Sequence, residues 1–226
     1  MPRTARAVEG GGIYHVLNRG NGRRRIFHKP GDYDAFCKLL TQAREAAAVD
    51  LLAFCLMPNH WHLVIRPRGD ADLSKYMRWL CTAHVRRHHA HHRSGGGHLY
   101  QGRYKSFPIQ DDLHLLTVLR YVEANPLRAK LAERAGQWAW STDAFRLTAM
   151  GRELLCDWPV DRPRNWNRIL EEKLPDADLG EIRTSVERCR PYGSATWIQK
   201  TASRLGLEFT LRQRGRPKKE LHEGQL

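Results

Sequence analysis

The chain has 226 residues, of which 41% are hydrophobic, and it carries 38 Lys and Arg against 24 Asp and Glu, for a formal net charge of +14. This length can bury one good core, with room for a smaller appended module. The excess of positive charge favours a polyanionic partner, and nucleic acid is the default candidate.

The cysteines and the apolar runs indicate the compartment. Five cysteines are scattered along the chain without Cys-x-x-Cys spacing. This pattern argues against a disulfide framework and against a zinc ribbon, and it fits a reducing environment. No signal peptide and no apolar run of membrane-spanning length is evident. We therefore expect a cytoplasmic protein with no membrane partner.

The predicted elements follow one another as strand, helix, two strands, helix, strand and helix. In chain order we expect them at 12–18, 32–48, 51–56, 59–65, 72–89, 103–109 and 112–129. Apolar residues recur at helical spacing in the three helices, and the short link between the second and third strands predicts an antiparallel hairpin. This order predicts an α+β fold, a ferredoxin-like antiparallel sheet with helices packed on one face.

The composition changes after Met150. Tryptophan, proline and charged residues alternate from Trp158 to Pro175, which indicates an irregular linker. We therefore divide the chain into a core domain over 1–150, a linker over 151–177 and a basic, mostly helical or irregular C-terminal extension over 178–226. The extension is a candidate accessory DNA-binding unit, because between Arg183 and Lys219 it has ten Lys and Arg and only two acids.

The extension contains a short basic motif near its end, Arg214-Gly215-Arg216-Pro217-Lys218-Lys219. This motif is similar to an AT-hook, in which an extended Arg-Gly-Arg-Pro lies in a narrow A·T minor groove. A short basic tail can also be an unstructured, non-specific polycation. The sequence leaves both interpretations open.

Two histidines lie two residues apart in the third strand, in Met57-Pro58-Asn59-His60-Trp61-His62-Leu63-Val64-Ile65. Side chains at i and i+2 of a strand share a face, so both imidazoles point one way and Trp61 the other. Two adjacent imidazoles on a rigid element are a ready pair of metal ligands. A His-aromatic-His triplet also arises by chance in half-exposed strands, so the pair alone does not establish a metal site.

The last predicted core helix carries a polar stripe of His114, Thr117, Tyr121 and Asn125. A tyrosine in this position is a candidate nucleophile, because its phenol is held rigidly and stays reachable. Asn125 offers an amide oxygen that completes a His-His-Asn ligand set. The alternative is that Tyr121 is an ordinary boundary tyrosine and that Asn125-Pro126 only ends the helix.

Two of these motifs together resemble those of a known family. His60-Trp61-His62 after Met57-Pro58-Asn59, with Arg120-Tyr121-Val122-Glu123-Ala124-Asn125-Pro126-Leu127-Arg128-Ala129, resembles the single-tyrosine HUH transposases. The closer match is their REP-associated branch, the chromosomal relatives that act on short palindromic repeats. Trp138-Ala139-Trp140-Ser141-Thr142 is similar to the tryptophan-serine segment that follows the tyrosine helix in that branch. The resemblance covers roughly 11–145.

The resemblance implies a HUH nuclease core that cleaves and rejoins hairpin-bearing single-stranded DNA at REP-like repeats through a 5′-phosphotyrosine. His60, His62 and Asn125 match the ligands of a divalent metal, Mg²⁺ or Mn²⁺, and Tyr121 matches the nucleophile. The implied partner is single-stranded or hairpin DNA at the bacterial nucleoid. The implied active unit is a monomer or a homodimer.

Basic residues near these motifs are candidate contacts to DNA. They are Arg19, Arg23, Arg24, Arg25, Arg86, Arg87, His114, Arg214, Arg216 and Lys218. Two other functions stay open from the residues alone. One is a metal nuclease that activates water and uses Tyr121 only structurally, and the other is a non-catalytic hairpin-binding protein or repressor on the same scaffold.

Overall fold

A computed structural model of the protein describes residues 8–92 and 96–212. Its strands are β1 (Ile13–Arg19), β2 (Val49–Met57), β3 (His60–Pro67) and β4 (Lys105–Ile109). Its α-helices are α1 (Pro30–Ala46), α2 (Asp72–His92), α3 (Leu113–Glu123), α4 (Asn125–Arg128), α5 (Thr142–Phe145), α6 (Ala149–Leu154), α7 (Trp166–Glu171), α8 (Asp176–Arg188) and α9 (Ala195–Arg204). None of the described helices combines the length and the apolar character needed to cross a bilayer.

The strands form a four-stranded sheet in the order β2-β3-β1-β4, and every neighbouring pair is antiparallel. This is the arrangement that the order β-α-β-β-α-β predicts, so the ferredoxin-like α+β fold class is confirmed. The predicted hairpin of β2 and β3 is present. The carbonyl of Pro58 in its turn accepts hydrogen bonds from the N–H groups of Ile26 (2.8 Å) and Phe27 (3.1 Å), which ties the turn to the chain after β1.

Helices cover both faces of the sheet. Side chains alternate along β1 and β3, so that Tyr14, Val16 and Trp61 belong to the core shared with α1 and α2. The opposite face, which includes Val64 and Phe107, is covered by the fully buried apolar stripe of α3: Leu115, Val118, Leu119 and Val122. The expectation that the helices lie on one face was therefore wrong for α3. This helix lies over the side of β3 to which the two histidines of the motif point.

The last core helix is shorter than the apolar pattern predicted. The pattern extended over 112–129, but α3 ends before Ala124, and Asn125 begins the separate turn α4. Pro126 has no N–H to donate to the carbonyl of Val122, and its ring would crowd that carbonyl, so a regular helix cannot continue through this point. Asn125 is therefore positioned by α4 and does not continue the stripe of α3.

The tryptophan-serine segment covers the outer edge of β2. The N–H of Leu56 donates to the carbonyl of Trp140 (2.9 Å). The hydroxyl of Thr142 accepts from the N–H of Phe54 (2.5 Å) and donates to the carbonyl of the same residue (2.9 Å). An open strand edge is a template for pairing with another chain, so this segment closes one side of the sheet.

The segment predicted as a linker and the extension both pack on the core. Three side chains of the former, Trp166, Leu170 and Leu174, are buried in the core that α3 shares with the sheet. The indole N–H of Trp166 donates to the carboxylate of Glu123 (2.7 Å). In the extension, the N–H of Tyr192 donates to the carbonyl of Pro108 in β4 (2.9 Å). The division of the chain at 150 and 177 stays a prediction.

Candidate active site

The two histidines of the motif lie on the sheet face that α3 covers. As the strand spacing predicts, they share this face, with ring centroids 5.0 Å apart and planes at 80°. Trp61 points to the opposite face, where it is fully buried and donates its indole N–H to the hydroxyl of Tyr100 (2.9 Å). The burial and the hydrogen bond of Trp61 thus hold β3 on the opposite face of the sheet, so that both imidazoles point to the face that α3 covers.

A third histidine, which the sequence analysis missed, supports the pair. His15 of β1 is fully buried, and its Nε2 lies 2.8 Å from Nδ1 of His62. In the register of β1 and β3, Leu17 lies opposite His62 and His15 lies opposite Val64. Neighbouring positions in this ladder share a face, so His15 is a diagonal neighbour of His62. Only the strand register could have revealed this contact, because 47 positions separate the two residues in the chain.

In both rings of the pair, Nδ1 is the nitrogen that has a hydrogen-bond partner. Nδ1 of His62 is engaged by His15, and Nδ1 of His60 lies 2.6 Å from Oδ1 of Asn59. Nε2 of each ring is thereby left for a ligand, which is how outer hydrogen bonds select the ligating nitrogen of a histidine. Burial, with Arg19 and Arg128 nearby, lowers the pKa of His60 to about 4, and burial lowers the pKa of His62 well below its usual value. Both imidazoles are therefore neutral at neutral pH, the state that binds metals.

Tyr121 of α3 lies edge-on to this histidine group. Its ring centroid is 5.7 Å from that of His62 and 6.2 Å from that of His15, with planes at 88° and 79°. The guanidinium of Arg128 lies over the Tyr121 ring, 4.4 Å from its centroid, and donates to the Tyr121 carbonyl (2.6 Å). A cation over an aromatic face is attracted by the ring quadrupole. Arg128 thus holds the phenol from α4, the turn that also carries Asn125.

An open cavity of about 720 Å³ joins these side chains. His60, His62, Tyr121 and Asn125 all line it, so the four residues predicted to carry the chemistry lie in one place. Its lining also includes five cations, which are Arg19, Arg103, Lys105, Arg128 and Arg183. A concave site with a few convergent polar groups is the default location of ligand chemistry, and this one is adapted to an anion.

The donor set fits a divalent metal. Asn125 is 9% exposed, and its Nδ2 has no hydrogen-bond partner among the described residues, so its amide nitrogen is not held by another part of the fold. Within 8–92 and 96–212, no group of three or more His, Cys, Asp or Glu side chains is placed to hold a metal ion. A cation held by the imidazole nitrogens of His60 and His62 would therefore need oxygen donors as well, such as the amide oxygen of Asn125, a phosphate or water.

The predicted DNA contacts fall in several places. Arg19 lines the cavity, and Arg23, Arg24 and Arg25 are exposed in the turn that follows β1. Arg24 is tied to the carbonyl of His98. Arg86 and Arg87 are exposed on α2, on the other face of the sheet from the cavity. These arginines do not converge on one site.

Two further groups of predicted contacts lie away from the cavity or outside the described residues. His114 lies in the first turn of α3, where its Nδ1 is 2.7 Å from Oδ1 of Asp112, and it does not line the cavity. Arg214, Arg216 and Lys218 of the AT-hook-like motif lie outside the described residues. The DNA contacts of both groups stay predictions.

Part of the cavity lining was not predicted from the sequence. Lys105 of β4, Arg128 of α4, and Arg183 and Glu187 of α8 all face the cavity. Arg128 belongs to the quoted Asn-Pro-Leu-Arg motif and could have been singled out as a charge one turn beyond Asn125. The residues of α8 carry no such signal, because only the packing of the extension brings them to the site.

Comparison with known proteins agrees with this architecture. A solved structure of a REP-associated tyrosine transposase bound to a REP hairpin superposes with a TM-score of 0.54 at 19% identity, over 77% of this chain and 99% of that chain. This match shows a shared fold. A candidate transposase from Deinococcus radiodurans gives a TM-score of 0.40 at 18% identity, over 54% of this chain and 96% of that chain. No curated protein matches the sequence.

The family follows from the sequence itself. The profile of the family described as "Transposase IS200 like" matches residues 11–125, about half of the chain. The matched region begins before β1 and ends at Asn125, so it contains the histidine pair and Tyr121. This match confirms the resemblance to single-tyrosine transposases. The chain belongs to the IS200-like transposase family, and it is a DNA transposase.

Proposed function

We propose that this transposase cleaves and rejoins single-stranded DNA beside hairpins, at REP-like palindromic repeats, with Tyr121 as the nucleophile. The observation that carries the proposal is that Tyr121 stands edge-on to His62, at 5.7 Å between ring centroids, in the cavity that His60 and Asn125 also line. A protein of the same fold is a REP-associated tyrosine transposase bound to a REP hairpin, which supports hairpin DNA as the substrate class.

In the proposed step, Oη of Tyr121 loses its proton to a base or to water and attacks the phosphorus of the scissile phosphodiester. A bond forms between Oη and phosphorus, the bond from phosphorus to the 3′ oxygen breaks, and that oxygen takes up a proton to become a 3′-OH. The product is a 5′-phosphotyrosine. Because the covalent link conserves the phosphodiester, a different 3′-OH can attack it and join two strands without an external energy source.

The residues around Tyr121 each have a part in this step. His60, His62 and Asn125 would hold a divalent metal, Mg²⁺ or Mn²⁺, which when bound neutralises charge on the scissile phosphate and orients it. His15 orients the ring of His62 through its Nδ1. Arg128 holds the Tyr121 ring in position and adds positive charge where the phosphate binds.

The geometry also supports a site that is complete within one chain. Tyr121 and both histidines of the pair belong to the same protomer and line the same cavity. We therefore propose that a monomer suffices for the cleavage. Mixing Tyr121→Phe protein with His60→Ala protein tests this point, because a site shared between two protomers would regain activity in the mixture and a site within one chain would not.

A covalent-capture experiment tests the proposed function. Hairpin oligonucleotides with single-stranded flanks, labelled at the 3′ end, are incubated with the protein and Mg²⁺ or Mn²⁺ and resolved on a denaturing gel. We expect a labelled protein adduct with the wild type and with the control Tyr192→Phe. We expect none with Tyr121→Phe or His60→Ala, although both variants should still bind the hairpin.

The other outcomes identify the alternatives. Cleavage that persists in Tyr121→Phe, without an adduct, would mean that the site activates water and that the tyrosine is structural. Hairpin binding by the wild type with neither adduct nor cleavage would mean that this chain acts as a DNA-binding protein or repressor.

A further inference from the structure

Helix α8 of the C-terminal extension forms one wall of the catalytic cavity. The residues of α8 that line it are Leu179, Arg183, Val186 and Glu187. Their spacings of four, three and one place them on one stripe of the helix. Leu179 and Val186 are only partly buried where they pack against the core, whereas Ile182 and Ser185 are the buried residues of the helix, so the stripe leaves apolar surface to the cavity.

The wall is fixed to the core. Ile182 is fully buried in the core that includes α3 and β4. Lys105 of β4 donates its ammonium to the carbonyl of Glu187 (3.3 Å), which ties the end of the stripe to the opposite rim of the cavity. After α8, Tyr192 continues along the β4 edge through its backbone bond to Pro108 (2.9 Å). These contacts with the core and with β4 therefore fix the position of the stripe beside the cavity.

The two sides of the cavity differ in their chemistry. The catalytic side has imidazoles, a phenol and an amide. The α8 side has two aliphatic side chains, Leu179 and Val186, flanked by one cation, Arg183, and one anion, Glu187. Leu17 and Met57 from the sheet add further apolar surface. A phosphate alone would not need an apolar wall or a carboxylate, whereas a nucleotide presents a phosphate, an apolar base face and polar base edges.

We propose that α8 forms a nucleotide-binding wall, which holds the unpaired base next to the scissile phosphate and selects its identity. This inference rests on the proposed function, because it assigns the substrate of the same cavity. Leu179 and Val186 contact the face of the base, Arg183 binds the adjoining phosphate, and Glu187 accepts a hydrogen bond from an exocyclic amino group. Cytosine, adenine and guanine carry an exocyclic amino group and thymine does not, and carboxylate acceptance from cytosine N4 is a common pairing.

The size of the cavity agrees with an unpaired nucleotide. About 720 Å³ lies within the range of roughly 300–1,000 Å³ for pockets that take one small organic molecule. A base paired within a duplex cannot enter such a pocket without leaving the stack. The wall therefore favours the single-stranded flank of a hairpin over its stem.

The wall belongs to a part of the chain outside the family match. The family profile ends at residue 125, and α8 begins at Asp176. The catalytic residues and the residues that we assign to base selection thus come from different segments. Transposases that share the catalytic segment can then differ in the base that they accept.

A selection from a DNA library tests the proposal. The library consists of hairpins with stems of varied sequence and randomised single-stranded flanks, and it is presented to Tyr121→Phe protein, which we expect to bind without cutting. Bound molecules are recovered and sequenced. A second selection with protein that retains Tyr121 recovers covalent adducts. Both are repeated with Glu187→Gln and with the control Glu181→Gln, which changes an exposed carboxylate of α8 that does not line the cavity.

We expect one flanking position to prefer an amino-bearing base by about tenfold, the effect of one good polar contact to a base edge. Glu187→Gln should reduce that preference to about twofold or change the preferred base, since an amide can also donate. Glu181→Gln should leave it unchanged. Arg183→Gln should weaken binding of all flanks alike by about threefold, because one phosphate contact among several is lost, whereas the control Arg188→Gln should not.

The outcomes separate this proposal from the proposed function. The proposed base selection by α8 would be wrong if the wild type showed no flank preference, or if the preference persisted unchanged in Glu187→Gln. This conclusion would hold even if adducts form. If the flank preference depends on Glu187 but no adduct ever forms, the covalent mechanism would be wrong and the proposed base selection by α8 would be supported.

Discussion

Nε2 of His15 lies 2.8 Å from Nδ1 of His62, and both residues are buried beneath the cavity that Tyr121 lines. This contact links β1 to the histidine motif of β3. When Nδ1–H of His62 donates to Nε2 of His15, Nε2 of His62 is left as the acceptor nitrogen that can bind a metal, because a neutral imidazole has one donor and one acceptor nitrogen. The histidine pair of the motif therefore works as part of a group of three.

Replacing His15 should weaken metal binding without removing a ligand. In His15→Phe, the ring of His62 loses its partner, and we expect the affinity for Mn²⁺ to fall by about 10- to 100-fold, as for other outer-shell changes. Titration calorimetry with Mn²⁺ measures the affinity directly. His114→Gln, on α3 but outside the cavity, is the control. An unchanged Mn²⁺ affinity in a folded His15→Phe protein would show that His62 is oriented by other contacts.

Arg128 should affect the rate of cleavage more than the binding of DNA. Its guanidinium lies 4.4 Å from the centroid of the Tyr121 ring and lines the cavity. In Arg128→Gln both the hold on the ring and the nearby charge are lost, so we expect single-turnover cleavage to slow by about 100-fold. Hairpin affinity should change by no more than about threefold, because one phosphate contact among several is removed.

The control for this prediction is Lys130→Gln, which removes an exposed positive charge two residues away. If both variants slow cleavage equally, the effect comes from general electrostatic attraction of DNA. If Arg128→Gln weakens binding and leaves the single-turnover rate unchanged, Arg128 contacts DNA away from the reacting phosphate.

The fold could be predicted from the sequence wherever a local pattern decides it. The alternation of elements and the hairpin after Met57 predicted the sheet order, because few topologies satisfy them. The face on which α3 packs could not be predicted, since its apolar stripe Leu115, Val118, Leu119 and Val122 fits either side of the sheet. The end of α3 was missed for another reason: Pro126 breaks the helix inside an apolar pattern that continues past it.

The candidate site could be predicted in part. His60, His62, Tyr121 and Asn125 stood out by spacing and by resemblance, and the structure places them around one cavity. His15 could not be found in this way, because its contact depends on strand register. The residues of α8 could not be found either, because their position follows from the burial of Ile182 and Trp166 against α3, a contact between distant segments.

Thr142 should be important for stability at the edge of β2. Its buried hydroxyl bonds both backbone groups of Phe54, at 2.5 and 2.9 Å. Thr142→Val leaves a buried N–H and a buried carbonyl without that partner, so the free energy of unfolding should fall by about 2–3 kcal/mol. Urea denaturation measures the change. Thr117→Val, which removes a hydroxyl whose hydrogen bond to the carbonyl of Leu113 is exposed to solvent, should lower it by less than about 1 kcal/mol.

Buried histidines on α2 should make the protein sensitive to acid. Burial, with His92 and His28 close by, lowers the pKa of His88 to about 4, and burial lowers the pKa of His84 to about 3. Both ring nitrogens of His88 are buried without a hydrogen-bond partner among the described residues. In the unfolded chain each histidine takes up a proton near pH 6.5. Stability should therefore be complete above pH 6.5 and fall as the pH drops toward 4.

Unfolding in urea at pH 7.5 and pH 5 tests this dependence. From pH 7.5 to pH 5, the free energy of unfolding of the wild type should fall by about 1 kcal/mol more than that of His88→Gln, because the glutamine does not titrate. His91→Gln, which changes an exposed histidine of the same helix, should behave as the wild type does. Equal losses in wild type and His88→Gln would mean that His88 is already protonated in the folded protein at pH 5.

The most direct test of the central claim is the identity of the residue that becomes attached to DNA. Protein incubated with Mn²⁺ and hairpin DNA is digested with protease and nuclease, and the modified peptide is sequenced by mass spectrometry. We expect one modified residue, Tyr121, carrying a 5′-linked nucleotide, and no modified peptide from Tyr121→Phe. A nucleotide on any other residue, or cleaved DNA with a free 5′-phosphate and an unmodified Tyr121, would contradict this claim.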